Sequence, residues 1–219
     1  MITEAYVSFF QELELNNHKQ WFHEHKKRYE TEVKKPFLDL LERLIPTLSA
    51  LEPAIPTDAK SALFRINRDV RFSKDKTPYH ILLKAGFSPG GKKSRLPGFY
   101  LGISATTIHV GGGLFTVQPT DLKAIRMLIA NKPDDFMAIV TSDVFVSNFG
   151  ELKGEKSKRL DKQLLPIATK AHLIANKQFY AMKELPVADY LNSEALVDVL
   201  VEKFRVINSL NQFLKEAFI

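Results

Sequence analysis

The spacing of hydrophobic residues changes along this chain, and the changes decide its fold class. In the first fifty residues apolar side chains recur at helical spacing, as Tyr6, Phe9 and Leu13 show. Between residues 64 and 110 apolar and polar residues alternate, which is typical of strands. Helical spacing then returns and ends the chain in a long helix. Helices at both ends with sequential strands between them predict an α+β fold with a mostly antiparallel central sheet.

The predicted elements can be placed along the sequence. Thr3 is expected to cap the first helix, and Asn16-Asn17 to end it and cap the second. Strands are predicted over 64–72, 79–87, 99–104, 107–110 and 178–185, and later helices over 120–130, 134–141, 167–173 and from Ser193 onwards. Residues 148–162, punctuated by glycine and rich in lysine, are expected to form an exposed hairpin or loop.

Composition excludes several classes of protein. The chain has 219 residues, of which 45% are hydrophobic, and this is typical of a folded domain. It has no cysteine, which excludes disulfide frameworks, thiolate catalysis and Cys-ligated metal sites. No apolar run is long enough to cross a membrane, and the N-terminus lacks the basic start of a signal peptide. We therefore expect a single soluble, cytoplasmic domain over residues 1–219.

Residues 65–79 concentrate positive charge. Two anions accompany five cations, so the local excess is 5 − 2 = +3 in a chain of formal charge +6; the cations are Arg65, Arg68, Arg71, Lys74 and Lys76. On a strand, side chains two apart share a face at roughly 6.5–7 Å, so Arg65, Asp69 and Arg71 are expected to project together. A guanidinium that a carboxylate holds in place suits phosphate or carboxylate recognition. The segment therefore predicts an anion-binding site.

Arg68 interrupts the alternation of this predicted strand. The core face is expected to carry Phe64, Ile66, Val70 and Phe72. Arg68 falls on the same face, where an unpaired charge is costly. Either a bulge near Asn67–Asp69 turns it outward, or it is buried against a carboxylate. The following loop adds Lys76 and an Asx-type turn at Asp75, and Tyr79 offers a phenol nearby.

The segment also carries a resemblance to a known family. The pattern R-x-x-R-D-x-R-F-x-x-D-K-x-x-Y fits Arg65, Arg68, Asp69, Arg71, Phe72, Asp75, Lys76 and Tyr79. It resembles the signature of the family called domain of unknown function 2461. Residues 16–29, 98–101 and 111–114 resemble that family's opening and middle. The match weakens over 155–166, where the basic pair Lys158-Arg159 is not followed by the proline and glycine often found in the family. The resemblance supports the fold and the place of the site, and it implies no reaction.

Four weaker signals also have ordinary structural explanations. His23 and His25 point about 200° apart on a helix and cannot share an ion, so no metal site is predicted. Gly111–Gly113 lacks the ending of a phosphate-binding loop, which favours a turn. His109, at a strand end, is a candidate general base with no partner identifiable from sequence. The basic loops at 90–95 and 153–162 match no nucleic-acid-binding motif, so nucleic-acid binding is not predicted.

Three functions compete at this stage. The first is binding of a small anionic or phosphorylated ligand by Arg65, Arg68, Arg71, Lys76 and Tyr79. The second is a hydrolase or transferase of phosphoryl or acyl groups, with Asp69 or Asp75 as acid/base or Mg²⁺ ligand. The third is an ion-pair network in a protein-interaction module. No cofactor is predicted outside the Mg²⁺ of the second alternative, and the sequence decides neither enzyme status nor oligomeric state.

Overall fold

One antiparallel sheet organises the computed structural model, which describes residues 1–219. Its strands follow one another in chain order: β1 (Leu82–Phe87), β2 (Gly98–Ser104), β3 (Thr107–Leu114) and β4 (Phe179–Pro186). The predicted hairpin is confirmed, because only Ala105 and Thr106 separate β2 from β3. With helices before and after the sheet, the predicted α+β fold is confirmed.

Ten α-helical segments surround the sheet. They are α1 (Glu4–Leu15), α2 (Lys19–Glu24), α3 (Lys26–Arg28), α4 (Lys35–Leu51), α5 (Ala59–Ala62), α6 (Pro119–Asn131), α7 (Pro133–Val140), α8 (Asp143–Phe149), α9 (Leu165–Ala168) and α10 (Ala195–Lys215). A π-helical stretch, Tyr29–Lys34, joins α3 to α4. Proline occupies the first turn of α4, α6 and α7, where its missing N–H costs nothing. None of the helices has both the length and the apolarity that crossing a bilayer requires.

The helices cover one face of the sheet and leave the other open. On the covered face, Phe204 of α10 meets Phe99 edge to face at a centroid distance of 5.4 Å. The Tyr6 hydroxyl of α1 donates to the Ile103 carbonyl over 2.9 Å, so the buried phenol is satisfied. The 48 buried apolar side chains form one continuous core. A continuous core is what a single domain over residues 1–219 requires.

The junction between α1 and α2 differs from the prediction at one residue. Asn16 ends α1 as expected, but His18 rather than Asn17 caps α2, through an Nδ1 that accepts from the Trp21 N–H at 3.3 Å. Asn17 instead exchanges two hydrogen bonds with the backbone of Tyr79, at 3.0 and 3.1 Å. Its side chain satisfies a remote backbone pair, which sequence spacing cannot reveal.

The predicted strand over 64–72 is wrong. Only two isolated bridges form here. Leu63, just before the segment, pairs with Ala85 of β1, and Asn67 pairs with Tyr79, which precedes β1. Beyond Arg68 the chain leaves the sheet, and Phe72, which was assigned to the core, is 96% exposed. The alternation of apolar and polar residues therefore reflects a loop that bonds within itself.

The other edge of the sheet is covered in a similar way. The predicted loop over 148–162 begins inside α8, whose N-terminus Ser142 caps by accepting from the Phe145 N–H at 3.3 Å. The extended chain that follows forms isolated bridges from Lys153 to Tyr180 and from Lys156 to Asn176. Both outer strands, β1 and β4, are thus flanked by short bridged segments.

Candidate functional site

The acidic and basic groups of the predicted site pair with each other. Asp69 accepts from the Arg71 backbone N–H at 3.3 Å, from Nε at 3.0 Å and from Nη2 at 2.7 Å. The paired guanidinium lowers the pKa of Asp69. The fork of Arg71 is therefore engaged with its own carboxylate on an exposed loop, where ion pairs contribute little to stability.

A second cluster explains why Arg68 breaks the alternation. Its Nη1 lies 2.5 Å from Asp75 Oδ2 and donates to the carbonyl and the hydroxyl of Thr77. Of the two expectations for Arg68, pairing with a carboxylate is the one the structure shows. Asp75 also accepts from the Thr77 N–H at 2.9 Å, and this bond, with Arg68, lowers the pKa of Asp75 to about 2. Asp75 thus holds the loop, as its predicted turn role requires.

The remaining predicted site residues do not surround a common hollow. Lys76 donates to the Val70 carbonyl at 2.9 Å. Tyr79 is buried and its ring stacks on Phe22 at a centroid distance of 4.1 Å. Arg65 is exposed and has no carboxylate partner. The segment gathers its charges as predicted, but it directs most of them to partners inside the loop.

A large concavity lies elsewhere, on the open face of the sheet. It has a volume of about 900 Å³ and is lined by all four strands and by the loops after β1 and β3. We call it the sheet cavity. Its polar lining includes Lys84, Lys92, Lys93, Lys153, His109, Glu184, Tyr100 and Tyr180. Of the predicted site residues, only His109 lines it.

One row of side chains crosses the floor of the sheet cavity. The strand register places Lys84 opposite Gly102, Gly102 opposite His109, and His109 opposite Glu184. His109 Nδ1 lies 3.6 Å from Glu184 Oε1. The partner that sequence could not supply for His109 is therefore a cross-strand glutamate.

Glycines make the floor of the sheet cavity concave. A Cβ at Gly102 would lie 2.9 Å from the Tyr100 hydroxyl and 3.1 Å from Leu82, so a larger residue there would displace them. Gly113 has a φ of +106°, a value that side-chain-bearing residues rarely adopt. The triple glycine predicted to be a turn belongs to β3 instead, where a Cβ at Gly111 or Gly113 would collide with the backbone carbonyl of Ala181 or Phe179 on β4.

The lysines of the sheet cavity lack acidic partners. No carboxylate oxygen lies within 4.0 Å of the ammonium groups of Lys84, Lys92, Lys93 or Lys153. Lys84 and Lys92 lie 5.8 and 5.7 Å from the centre of the Phe64 ring, and Lys92 also donates to the Leu63 carbonyl. Burial lowers the pKa of Lys84. The sheet cavity thus holds positive charge that the protein does not neutralise.

His80 links the sheet cavity to the predicted segment. Burial is the main cause that lowers the pKa of His80 to about 4, and the positive charges of Lys84, Arg68 and Arg65 add to it. These cations, from β1 and from the 65–79 segment, are therefore close enough to act on one imidazole. Positive potential extends from the sheet cavity to the start of the segment.

The family model described as a conserved hypothetical protein (DUF2461) matches residues 5–213. The chain belongs to this family. No curated protein sequence matches it. Membership agrees with the resemblance seen in residues 65–79, and a family with this description supplies no activity.

The motifs that suggested DUF2461 fall in three places. Residues 16–29 run through α2 and α3, residues 65–79 form the self-paired loop, and 98–101 and 111–114 lie in β2 and β3. Gly98, Tyr100 and Gly113 from these strands line the sheet cavity. The DUF2461 resemblance therefore covers both the loop and the floor of the sheet cavity.

The chain places no group of three or more His, Asp or Glu side chains where they could hold a metal ion together. Asp69 and Asp75, the residues considered for Mg²⁺, are each bound to an arginine instead. A role for Mg²⁺ stays a prediction.

Sequence reasoning missed most residues of the sheet cavity. Lys84 was assigned only to a strand, and Lys92 and Lys93 to a basic loop. A usable signal was present, because glycine or an aromatic residue occupies alternate positions of β2, as Gly98, Tyr100 and Gly102 show. Glycine inside a strand marks a close approach or a space left open.

Proposed function

We propose that this protein binds a small organic anion, bearing a phosphate or carboxylate group, in the sheet cavity. The observation that carries the proposal is four lysines without acidic partners around one cavity of about 900 Å³. A volume of this size is within the range of small-molecule sites. The mixture of apolar walls and a few convergent charges is also typical of such sites.

The position of the Lys84 ammonium group makes anion binding energetically favourable. Its ammonium group is half-buried, and taking a charge out of water without a counter-ion is unfavourable. A bound anion would offset that cost while gaining charge-assisted hydrogen bonds. Lys92 is already oriented by the Leu63 carbonyl and the Phe64 ring, so less side-chain entropy is lost when it meets a ligand.

The 65–79 segment has a secondary part in this proposal. Arg65 and Arg68 extend the positive potential that acts on His80 beside Lys84. Direct ligand binding by Arg65, Arg68, Arg71, Lys76 and Tyr79 stays a prediction. It requires the ligand to compete with Asp69 and Asp75 for the two arginines that they already bind.

A second candidate function is proton-transfer chemistry on the bound anion, as in a hydrolase or transferase. The observation that favours it is His109 on the cavity floor with Glu184 at 3.6 Å. A carboxylate beside an imidazole orients the ring and stabilises its charged form, as a general base requires. The alternative predicted from the sequence, with Asp69 or Asp75 as acid/base, has less support because an arginine helps to lower the pKa of each carboxyl group.

Thermal unfolding with a panel of anions tests the proposal. Pyrophosphate, ribose 5-phosphate and citrate are suitable probes, and a ligand that binds only the folded chain raises the midpoint temperature. Amide chemical-shift changes on titration with the strongest ligand then locate the site. We expect them at Gly86, Tyr100 and Gly113.

Two outcomes would contradict the proposal. Shift changes confined to residues 68–77 would move the site to the predicted segment. No change in the unfolding temperature with any of the anions would exclude the sheet cavity as an anion site at the concentrations used.

A further inference from the structure

An aromatic wall forms one side of the sheet cavity. The Phe115 ring, directly after β3, lies 5.6 Å from the centre of the Tyr100 ring and 4.5 Å from that of Tyr180. Three rings from three neighbouring strands thus cluster on the open face. The lysines described above enclose the same volume, so the sheet cavity is both cationic and aromatic.

Phe115 is unusual for an aromatic residue in a folded protein. It is 39% exposed, although most large aromatic side chains of this chain are buried in the core. Next to it, Gly111 lies opposite Tyr100 and Gly113 opposite Tyr180, so no β3 side chain separates the Phe115 ring from these two phenols. A flat apolar ring placed on the exposed face of Phe115 would remove that face from water and stack on it.

The strand register sets the separation between rings and charges. Tyr100 lies opposite Gly86 on β1, and Lys84 is the next residue on the same face of that strand. Such diagonal neighbours are roughly 7–8 Å apart. Lys92 also approaches this position, since a Cβ at Gly86 would lie 3.5 Å from the Lys92 Cβ. A ligand that contacts both Phe115 and these lysines must therefore span Tyr100, as a base and a phosphate joined through a sugar can.

The charge of the cavity indicates which anion it suits. Counting His109 as neutral, four lysines and one glutamate give 4 − 1 = +3 among the lining residues. A phosphate monoester carries about two negative charges at neutral pH, and a single carboxylate carries one. The lining charge therefore suits phosphate better.

We infer that the ligand is a mononucleotide, a phosphate joined through a sugar to a flat base, with the base stacked on Phe115. The inference rests on the proposed function and adds the chemical class of the ligand. Lys84 and Lys92 bind the phosphate, and Tyr100 and Tyr180 hold the Phe115 ring in place.

Calorimetric titration of the full chain at neutral pH tests this inference. The probes are the four ribonucleoside monophosphates, ribose 5-phosphate and inorganic phosphate. We expect at least one mononucleotide to bind about tenfold more tightly than ribose 5-phosphate, which is the size of one stacking contact. Phe115→Leu should lower mononucleotide affinity about tenfold and leave ribose 5-phosphate affinity unchanged.

Two further variants keep the result interpretable. Phe115→Tyr retains a flat ring and should keep mononucleotide affinity. Phe72→Leu changes an exposed phenylalanine outside the sheet cavity and should have no effect on either ligand. The unfolding midpoint of each variant shows that the fold is intact.

The possible failures are distinct. Equal affinity for mononucleotides and ribose 5-phosphate, or equal losses of both in Phe115→Leu, would overturn the inference and leave anion binding standing. If neither the mononucleotides nor ribose 5-phosphate nor inorganic phosphate binds, both this inference and the proposed function are overturned. A short single-stranded oligonucleotide that binds about tenfold more tightly than any mononucleotide would overturn it in favour of a nucleic-acid strand.

Discussion

The 65–79 segment and the sheet cavity are both rich in positive charge, but they use it differently. In the segment, Arg68 and Arg71 are each held by a carboxylate of the same loop. In the sheet cavity, Lys84 and Lys92 have no acidic partner and contact carbonyl and aromatic groups instead. The comparison shows that a high local density of positive charge does not mean that those charges are available to bind a ligand. What matters is whether the protein has already supplied the counter-charge.

The largest expected effect concerns anion affinity. Lys84→Gln combined with Lys92→Gln removes two unpaired charges, and we expect pyrophosphate affinity to fall on the order of 100-fold, since charge-assisted hydrogen bonds contribute about 1.5–3 kcal/mol each. Calorimetric titration measures the change. The matched control, Arg71→Gln with Lys74→Gln, removes two charges from the segment and should change affinity less than about threefold. Equal losses in both double variants would break the distinction between the two regions.

Substitutions in the 65–79 segment should lower stability rather than anion affinity. Arg68→Met removes the donor that binds Asp75 and Thr77, and we expect a loss of about 1–2 kcal/mol in the free energy of unfolding. Urea denaturation measures it. Arg71→Met is the control, because Arg71 is far more exposed and its substitution should leave the free energy of unfolding unchanged. An unchanged unfolding free energy in Arg68→Met would show that its pairs do not stabilise the loop.

Lys84 should lower the free energy of unfolding when no ligand is bound. Lys84→Met keeps the length of the side chain and removes a half-buried charge that has no partner. We expect a gain of about 0.5–1 kcal/mol in the free energy of unfolding. The same denaturation experiment measures it, with exposed Lys170→Met as control. A loss of stability in Lys84→Met would mean that the protein itself compensates this charge.

The effects of pH fall in two windows, one for His80 and one for Asp75. Folding lowers the pKa of His80 from 6.5 to about 4, so the unfolded chain binds a proton that the folded chain does not, and stability is lost as pH falls from 6.5 towards 4. Folding lowers the pKa of Asp75 from 3.8 to about 2, so its contribution is lost as pH falls through that lower range.

Unfolding midpoints recorded between pH 7 and 2 measure both pH effects. His80→Gln should flatten only the upper window and Asp75→Asn only the lower one. A His80→Gln variant with the wild-type slope between pH 6.5 and 4 would contradict the assignment of the upper window to this imidazole.

Local patterns predicted most of the fold. The helical spacing of Tyr6, Phe9 and Leu13 defined α1, and the short connection at Ala105-Thr106 defined the central hairpin. The alternation around Arg68 misled, because a loop that pairs its own charges produces the same pattern as a strand. Helix α8 was missed although Ser142 is a recognisable N-cap.

The sheet cavity was beyond local patterns. Lys84 lies on β1, and Lys92 and Lys93 lie in the loop after it. Lys153 is remote in sequence, and its pairing with Tyr180 brings it to the sheet. Glu184 becomes a neighbour of His109 through the β3–β4 register. Such neighbours follow from strand order, which no window of the sequence contains. The predicted segment could be located from sequence because the partners of its paired arginines and of Lys76 lie within fifteen residues.

The bridged segments beside β1 and β4 have a consequence for how copies of this chain can associate. Leu63 bridges Ala85 of β1 and Lys153 bridges Tyr180 of β4, so each edge strand has one main-chain position that is not free to accept a fifth strand. Edge-to-edge growth, the common hazard of an open sheet, is interrupted at these two positions unless the bridging segment detaches. Two stretches that are not strands themselves therefore shorten the edges that another copy could pair with.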